Sequence, residues 1–455
     1  MLYPHMLEEA HQHIEDGNPE LVESIDWLML KANILGEFPS QLKKSKELFE
    51  YILTSSYILH PTAVVASFIT ILSSISARKV FTETSCSTSL YTVAIAPTGS
   101  GKDIVTDIPR LFFSTVNRPC SVLVQSKIFS EGALDDIFKE HDIVVQIIDE
   151  FGDQLGQMLG SGNGHLKALM QKYKMLYSST NSWYESANYS SSGGMKKLKP
   201  FKKEKPAFIL TGITTKAQLL GHLKEKMLHD GFLNRFIIMD GSKMEPWTNG
   251  MIPNKNMPHN IIEHLHSFIT QILVFGRVNS NDSLPKEDTL VVSMSHKAKN
   301  YYNKNIGGAY EKGSDIYVMC QNDKTGLMQE VSVRWRENAL RLATAISAYE
   351  LHEEVHLETL EWCYAFIKTM SLEFLKAFMD ESNQTKQEQT YDKAVLWFKA
   401  HHDTNAPWYE ISILPQKSRV FKTITRQERA SLIQDLIDSG IIEKSSDGKS
   451  VCYKL

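Results

Sequence analysis

Five short apolar runs recur along the middle of the chain, separated by stretches with helical spacing of apolar residues. The runs lie at residues 91–96 (YTVAIA), 121–125 (SVLVQ), 143–148 (IVVQII), 207–213 (AFILTGI) and 236–239 (FIIM). Helices are predicted between most of them, including residues 131–140 and 166–177. Near-continuous apolar strands that alternate with helices predict an α/β fold, in which a parallel sheet carries helices on both faces.

Helical patterns flank this alternating region on both sides. Residues 1–60 are predicted to form a helical N-terminal region, and Pro61 begins an apolar helix. The apolar run at residues 63–77 is too short to cross a membrane and contains serine and threonine, so we expect a helix buried in the protein. Residues 61–285 are assigned to the α/β core, and residues 286–385 to a helical lid.

The C-terminal part of the chain has a different pattern. A polar stretch at residues 383–390 predicts a linker, and residues 386–455 are predicted to form a winged helix: helix, short strand, two helices and a β-hairpin closed by Ser-Ser-Asp-Gly. Basic residues cluster around its second and third helices, at Lys417, Arg419, Lys422, Arg426 and Arg429. Such a patch binds phosphates with little base readout. Because winged helices also dock proteins, DNA and protein are both open as partners.

Composition narrows the class of protein. A chain of 455 residues exceeds one ordinary core, so two to four domains are expected. The net charge of −4 provides no global attraction to nucleic acid, and any such binding requires local basic patches. Five scattered cysteines form no CxxC pair, which predicts neither a zinc site nor a disulfide framework. The acidic N-terminus lacks an apolar signal core, and a reducing, cytoplasmic setting is expected.

A glycine-rich loop follows the first apolar run, with the sequence APTGSGKD at residues 96–103. A strand that leads into such a turn and then into a helix directs backbone N–H groups and the positive end of the helix dipole at phosphate oxygens. Gly99 and Gly101 permit the backbone conformations that the turn requires, and Lys102 reaches the β- and γ-phosphates. The residues predicted to hold ATP are Pro97, Thr98, Gly99, Ser100, Gly101, Lys102, Asp103 and Ile104.

Two positions depart from the usual GxxxxGK[ST] pattern of a phosphate-binding loop. The first glycine is Ala96, and the final hydroxyl residue is Asp103. That hydroxyl ordinarily ligates Mg²⁺. A carboxylate can do so too, but it repels the polyphosphate unless the metal lies between them. Asp103 is therefore predicted to be a metal ligand; the alternative is an inactive loop in which it stabilises a helix N-terminus.

A second motif ends the third apolar run, where Asp149 and Glu150 follow residues 143–148 directly. An apolar strand that ends in two carboxylates places Asp149 next to the Mg²⁺ shell and Glu150 where it can polarise an attacking water. Acidic residues after a buried strand are common, but their position downstream of a phosphate-binding loop predicts a Mg²⁺-dependent ATPase. Glu150 favours hydrolysis over binding alone.

Further polar residues follow or precede the later strands. Thr214 or Thr211 could contact the nucleotide or its water, although strands often end in threonine. Arg235, between apolar residues, could act across a subunit interface on the charge of the transition state, or it could form a structural ion pair. Arg334 and Arg341 share one face of a predicted helix, from which one could reach the γ-phosphate, or both could be solvated.

A basic, glycine-led stretch at residues 193–205 interrupts the predicted core. It could be a pore loop that grips single-stranded DNA, or a solvated surface loop. Its candidate DNA-binding residues are Lys196, Lys197, Lys199 and Lys202.

With these motifs in order, the chain resembles the poorly characterised ATPase family of phages, prophages and plasmids that is often fused to, or encoded beside, primases. The matching features extend from Trp27 to about Glu350. The segments at residues 231–236 (GFLNRF) and 334–342 also resemble the arginine-finger and sensor-2 segments of minichromosome-maintenance-type AAA+ helicases. Asp103 departs from both groups.

The second resemblance implies a P-loop NTPase core of the AAA+ or RecA-like type. It implies that Arg235 is the arginine finger, Arg334 sensor 2 and Thr214 sensor 1, a residue expected to contact the nucleotide or its water.

Two kinds of function follow. The first is an ATP-driven replication helicase or translocase of a phage or mobile element, a homo-hexameric ring on single-stranded or forked DNA in the cytoplasm of the bacterial host, served by a separate primase or initiator. The second is a non-translocating ATP switch, such as an initiator, helicase loader or regulator. A catalytically dead relic is a third, weaker interpretation that rests on Asp103 alone.

Overall fold

A computed structural model of the chain describes residues 38–115, 122–125, 128–159, 164–178, 183–186, 201–223, 228, 230–244, 246–248, 253, 255–274, 289–323, 326–401 and 408–454. The chain divides into two compact units, Met1–Leu375 and Lys376–Leu455. Within these described ranges, no helix is both long enough and apolar enough to cross a membrane.

The first unit alternates strands and helices. Its early elements are α1 (Lys43–Thr54), β1 (Ile58–Leu59), α2 (Pro61–Ser76), β2 (Val80–Thr82), β3 (Tyr91–Ile95), α3 (Ile104–Thr115), β4 (Val122–Gln125), α4 (Glu131–Glu140), β5 (Ile143–Ile148), α5 (Phe151–Leu159) and α6 (Gly164–Ser178). There follow β6 (Trp183–Glu185), β7 (Lys202–Glu204), β8 (Ala207–Thr214), α7 (Lys216–Leu220), a 3₁₀ turn (Leu233–Arg235), β9 (Phe236–Asp240) and β10 (Trp247–Thr248). The later elements are α8 (His259–Val274), β11 (Leu290–Met294), α9 (His296–Asn300), a π-helix (Tyr301–Ile306), α10 (Asp315–Asn322), α11 (Leu327–Tyr349), β12 (Glu354–Val355) and α12 (Leu357–Ala400).

The core of this unit is a five-stranded parallel sheet in the order β4-β5-β8-β3-β9. All five strands are the apolar runs from which the sequence predicted strands, so the α/β class with a parallel sheet is confirmed. In the register of the central strands, Ile95 pairs with Thr214 on one side and with Asp240 on the other. The strands therefore end together at one edge of the sheet, the carboxyl edge, and begin together at the opposite amino edge.

Helices cover both faces of the sheet, which explains why β5 and β8 are buried along their whole lengths. On one face the Thr70 hydroxyl of α2 lies 2.6 Å from the Thr211 hydroxyl of β8. On the other face Tyr173 of α6 stacks on Phe208 of β8, with ring centroids 5.0 Å apart. Side chains on the two faces of β8 thus pack against two different helices.

Helix α2 is the apolar helix predicted at Pro61, and the structure confirms that it is buried. Pro61 occupies its first turn, where no intrahelical N–H bond is lost. The hydroxyls of Ser67, Thr70 and Ser74 each donate to the carbonyl four residues earlier. Since a buried hydroxyl is costly unless it is hydrogen-bonded, these internal bonds let polar residues occupy a buried helix.

A second sheet, in the order β12-β11-β2, joins distant parts of the first unit by parallel pairing. The sequence did not predict β2 or β12, because strands of two or three residues are too short to display periodicity.

The second unit carries the end of α12, followed by β13 (Tyr409–Glu410), α13 (Leu414–Lys417), α14 (Arg419–Lys422), α15 (Arg426–Asp438), β14 (Ile442–Lys444) and β15 (Ser450–Tyr453). Its strands form an antiparallel sheet in the order β13-β15-β14. Phe398, Leu414, Phe421, Leu436 and Val451 are among the residues of its core.

The prediction of a linker at residues 383–390 is wrong, because these residues belong to α12, a helix of 44 residues. The stretch is polar but contains neither glycine nor proline, and glutamine, lysine and glutamate are good helix formers. Polarity alone therefore does not indicate a loop.

Candidate functional site

The glycine-rich loop connects the end of β3 to the start of α3 at the carboxyl edge of the sheet. Gly99 and Gly101 have φ angles of +77° and +78°, in the left-handed region that favours glycine. The Ser100 hydroxyl donates to the Pro97 carbonyl at 2.7 Å and closes the turn. Helix α3 begins at Ile104, directly after the loop. Thr98, Gly99 and Asp103 are exposed, and Lys102 is half-buried.

Gly101 lies directly against the backbone of strand β1. A Cβ added at Gly101 would clash with the carbonyl of Ile58, whereas a Cβ at Gly99 would meet no atom within 4 Å. From the sequence, Gly101 was expected to be required for its backbone conformation. Its contact with Ile58 was not predicted. No local signal could have revealed it, because Ile58 belongs to an earlier segment of the chain.

The two acidic residues form a turn at the same edge, between β5 and α5. Asp149 and Glu150 are both exposed, and the Glu150 N–H donates to Asp149 Oδ1 at 3.0 Å. Glu150 has a φ of +59°, a left-handed conformation that costs a residue other than glycine about 1–2 kcal/mol. Such strain is concentrated at functional sites. Strand β8 separates β5 from β3, so the acidic turn and the glycine loop follow strands that flank β8.

The carboxylates at this edge suit Mg²⁺ in type but form no preassembled cage. Asp103 and Asp149 are exposed oxygen donors on two different loops. Among the residues that the structure describes, no group of three or more potential metal-ligating side chains is found. This donor set fits Mg²⁺, which is held by one or two carboxylates together with water and substrate phosphates.

Of the two threonines considered for nucleotide contact, neither presents a free hydroxyl to the loop. Thr211 is fully buried, and its hydroxyl lies within hydrogen-bond distance of Thr70 and Thr92 on the α2 face of the sheet. Thr214 is at the carboxyl edge, but it is 1% exposed. Its hydroxyl accepts from the Gly152 N–H at 3.2 Å.

Arg235 lies at the amino edge of the sheet, opposite the glycine loop of its own chain. It immediately precedes β9, whose first residue Phe236 pairs with Tyr91, the first residue of β3. Strand β3 has 5 residues, so the two edges lie about 16 Å apart. The guanidinium donates to the carbonyl of Gly231 and lies 5.7 Å from the centre of the Tyr177 ring. Burial, and to a lesser extent the charge of Arg334, lower the pKa of Arg235.

Helix α11 brings Arg334 and Arg341 to the same tyrosine. Their guanidinium carbons lie 5.7 Å and 4.2 Å from the centre of the Tyr177 ring, and both pair with Glu337. Arg341 is 1% exposed and also donates to the carbonyl of Ser89, so it is a structural residue. Arg334 is 29% exposed in its side chain and is the more accessible of the two. The structure thus places Arg334 beside Arg235 at the amino edge, not beside the glycine loop of its own chain.

The burial of this cluster is offset by its internal charge pairing. Burial opposes the charge of Arg341, but Tyr177 and Glu337 outweigh it and raise the pKa of Arg341. Burial likewise works against ionised Glu337, but Arg341 and Arg334 outweigh it and lower the pKa of Glu337. The sequence grouped Arg334 with Arg341 by helical spacing but could not identify Glu337 or Tyr177 as their partners.

The basic residues predicted to bind DNA lie in two parts of the chain, the stretch at residues 193–205 and the C-terminal unit. Lys196, Lys197 and Lys199 lie outside the described residues. Lys202 lies in strand β7, and its amino group pairs with Glu185 of β6 at 2.6 Å on an exposed surface.

In the C-terminal unit, Lys417, Arg419, Lys422 and Arg426 are exposed on or beside α13, α14 and the start of α15. Arg429 differs from them, because its guanidinium donates to the carbonyls of Phe421 and Ile424 at 3.1 Å and 3.2 Å. It therefore holds the turn between α14 and α15.

Comparisons with protein-family models and with curated proteins find no match to this chain. The functional conclusion therefore depends on the geometry of the two sheet edges and on the sequence motifs they carry.

Proposed function

We propose that the protein is a Mg²⁺-dependent ATP hydrolase of the P-loop class, built on an AAA+ or RecA-like core. The observation that carries this proposal is the meeting of two motifs at one edge of the sheet: the glycine loop after the central strand β3 and the Asp149–Glu150 pair after β5. The fold alone does not define a function, and the two motifs provide the chemistry.

Each residue of the site has a distinct task in this proposal. The N–H groups of the glycine loop and of the first turn of α3 bind phosphate oxygens, and Lys102 neutralises the β- and γ-phosphates. Asp149, with Asp103, would hold Mg²⁺, which when bound would neutralise charge on the phosphates. Glu150 accepts a proton from the attacking water and orients it.

The particular function we propose is that of a replication helicase or translocase that acts on single-stranded DNA as a homo-hexameric ring. The arginine pair supports this, because Arg235 and Arg334 lie at the edge opposite the glycine loop of their own chain. In a ring they would serve a neighbour's γ-phosphate, as arginine fingers do. The C-terminal unit, with the element order of a winged helix, would bind DNA phosphates through Lys417, Arg419, Lys422 and Arg426.

A second candidate is a non-translocating ATP switch that binds DNA through the C-terminal unit. One observation favours it: Lys202, which belongs to the stretch predicted to grip DNA, is already paired with Glu185. A switch of this kind would use ATP to control assembly, and a separate primase or initiator would be its partner.

The test is the rate of ATP hydrolysis with and without single-stranded DNA, for wild type and Glu150→Gln. Removal of a general base lowers kcat by about 10²–10⁴-fold, and the variant should still bind a fluorescent ATP analogue. Glu353→Gln, at an exposed glutamate outside the site, is the matched control and should hydrolyse ATP at the wild-type rate.

Stimulation of the wild-type rate by DNA supports the motor. A slow rate that DNA does not change supports the switch. A wild-type protein that binds no ATP analogue contradicts both proposals and supports the interpretation of an inactive loop that rests on Asp103.

A further inference from the structure

Thr214 occupies the position where the family resemblance implies a contact to the nucleotide or its water, yet its hydroxyl is engaged elsewhere. It accepts a hydrogen bond from the Gly152 N–H at 3.2 Å and donates to the Thr215 carbonyl at 3.2 Å. The residue is 1% exposed. A hydroxyl that is buried and doubly hydrogen-bonded is not positioned to meet a ligand that arrives from solvent.

The bond to Gly152 satisfies an N–H group at the start of helix α5. Gly152 is the second residue of α5, and the first N–H groups of a helix have no partner inside the helix. Thr214 therefore acts as an N-terminal cap supplied by another segment of the chain. Through this bond the end of strand β8, which lies beside the glycine loop, holds the start of the helix that follows Glu150.

The whole acidic turn is in close contact with β8 and α7. A Cβ at Gly152 would lie 2.6 Å from the backbone of Gln218 and 2.7 Å from Thr214 Oγ1. On the other side, Phe151 packs onto Gly212, where an added Cβ would lie 2.5 Å from the ring. The turn therefore has no space to shift towards β8 or α7, and its position depends on these contacts.

A second side-chain link fastens the same two helices. Gln218 of α7 donates from Nε2 to Asp153 Oδ2 of α5 at 3.2 Å. Gln218 is itself held by Thr215, with which it forms a capping box at the start of α7. Helices α5 and α7 are thus joined at their first turns, directly after the two strands that end at the candidate site.

We propose that Thr214 is a positioning residue for Glu150 and does not contact the nucleotide. Its hydroxyl fixes the Gly152 N–H and so maintains the left-handed backbone of Glu150, which directs that carboxylate towards the attacking water. This inference rests on the proposed ATPase function, and it assigns to Thr214 a role that differs from the one implied by the resemblance.

The test compares Thr214→Val, which keeps the shape and loses the hydroxyl, with Thr214→Ser, which keeps the hydroxyl. Misplacement of a catalytic group by about 1 Å costs up to about 100-fold, so we expect Thr214→Val to lower kcat by about 10- to 100-fold. Its affinity for a non-hydrolysable ATP analogue should stay within about twofold of wild type, because no contact to the nucleotide is lost. Thr214→Ser should restore kcat.

Hydrogen exchange of a peptide that covers residues 150–155 provides a measurement that does not depend on activity. Thr214→Val removes the acceptor of the Gly152 N–H, so this peptide should exchange faster than in wild type or in Thr214→Ser. In wild type, the analogue with Mg²⁺ should leave the peptide at least as protected as before. This last comparison requires no variant, so it remains decisive if Thr214→Val fails to fold.

Three results would overturn the proposal. One is weakened analogue binding by Thr214→Val with unchanged exchange at residues 150–155, which would make Thr214 a nucleotide contact. Another is faster exchange of the wild-type peptide when the analogue binds, which would show that the hydroxyl leaves Gly152. The third is a Thr214→Val protein that hydrolyses ATP normally. Failure of the ATPase proposal itself is distinguishable, since the wild type would then neither bind the analogue nor hydrolyse ATP.

Discussion

The two edges of the central sheet differ in how they hold their charged residues. At the carboxyl edge, Asp103, Asp149 and Glu150 are exposed on loops. At the amino edge, Arg341 is buried against the Tyr177 ring and pairs with the half-buried Glu337.

The charged residues of the two edges therefore serve different purposes: those at the carboxyl edge are available to ligands, and those at the amino edge stabilise the fold. Exposed carboxylates on strained or glycine-rich loops contribute little to stability and remain available to a metal or a substrate. Buried Arg341 holds α11 against the sheet through its bonds to Ser89, Tyr177 and Glu337, whereas Arg235 and Arg334 are partly exposed members of the same cluster. We therefore expect substitutions at the amino edge to cost stability and substitutions at the carboxyl edge to cost activity.

The largest expected effect is the loss of stability in Arg341→Met. This change leaves the half-buried Glu337 with Arg334 as its remaining partner. Breaking a fully buried pair costs about 3–5 kcal/mol, so we expect a cost at the lower end, about 3 kcal/mol. The free energy of unfolding, measured with urea, should fall by that amount. The double variant Arg341→Met, Glu337→Leu should recover part of it, because no carboxylate remains that has lost its Arg341 partner. A single variant as stable as wild type would remove the contrast between the edges.

A smaller effect is expected at the carboxyl edge, where the two loop glycines provide a matched pair. Gly101→Ala combines a left-handed backbone with a clash against Ile58 and should cost about 2–3 kcal/mol and abolish binding of the ATP analogue. Gly99→Ala has the same strain but open space, and should cost about 1 kcal/mol. Thermal unfolding and analogue titration measure both quantities. Equal losses in the two variants would show that the contact with Ile58 is unimportant.

Arg334→Ala tests whether an amino-edge arginine can serve activity without serving stability. Its side chain is partly exposed, so the free energy of unfolding should change by less than about 1 kcal/mol. The ATPase rate of the assembled protein should fall about tenfold, which corresponds to about 1.4 kcal/mol of transition-state stabilisation. The decisive control mixes inactive Glu150→Gln chains with Arg334→Ala chains. Recovery of activity in the mixture indicates that Arg334 acts on a neighbour, and no recovery contradicts this.

The smallest effect concerns pH. The lowered pKa of Glu337 means that its ionised form stabilises the folded state above the pKa of the unfolded chain, near 4.3. That contribution is lost as the pH falls below 4.3 through the folded-state pKa. Between pH 5 and pH 3, unfolding experiments should therefore show a steeper loss of stability for wild type than for Glu337→Gln. Parallel curves would mean that Glu337 is not held in its ionised form by the arginines.

Much of the candidate site was predictable because its signals are local. The glycine loop, the acidic pair and the five core strands each lie within a few consecutive residues, where apolar runs, glycine conformation and carboxylate chemistry can be recognised directly. The linker at residues 383–390 was predicted incorrectly, since polar helix formers without glycine or proline were taken for a loop. Strands β2 and β12 were not predicted, because they are too short to display a periodic pattern.

The sequence by itself determined the five strands of the central sheet, the glycine loop, the paired carboxylates and the arginine-bearing helix. Only the tertiary structure decided that Thr214 caps α5, that Ile58 lies on Gly101, and that Arg235 and Arg334 share Tyr177 at the edge opposite the glycine loop. The physical reason is that these contacts depend on strand order and register. Order and register arise when segments far apart in the chain bury their apolar faces together, and no local pattern of residues records which segments will meet.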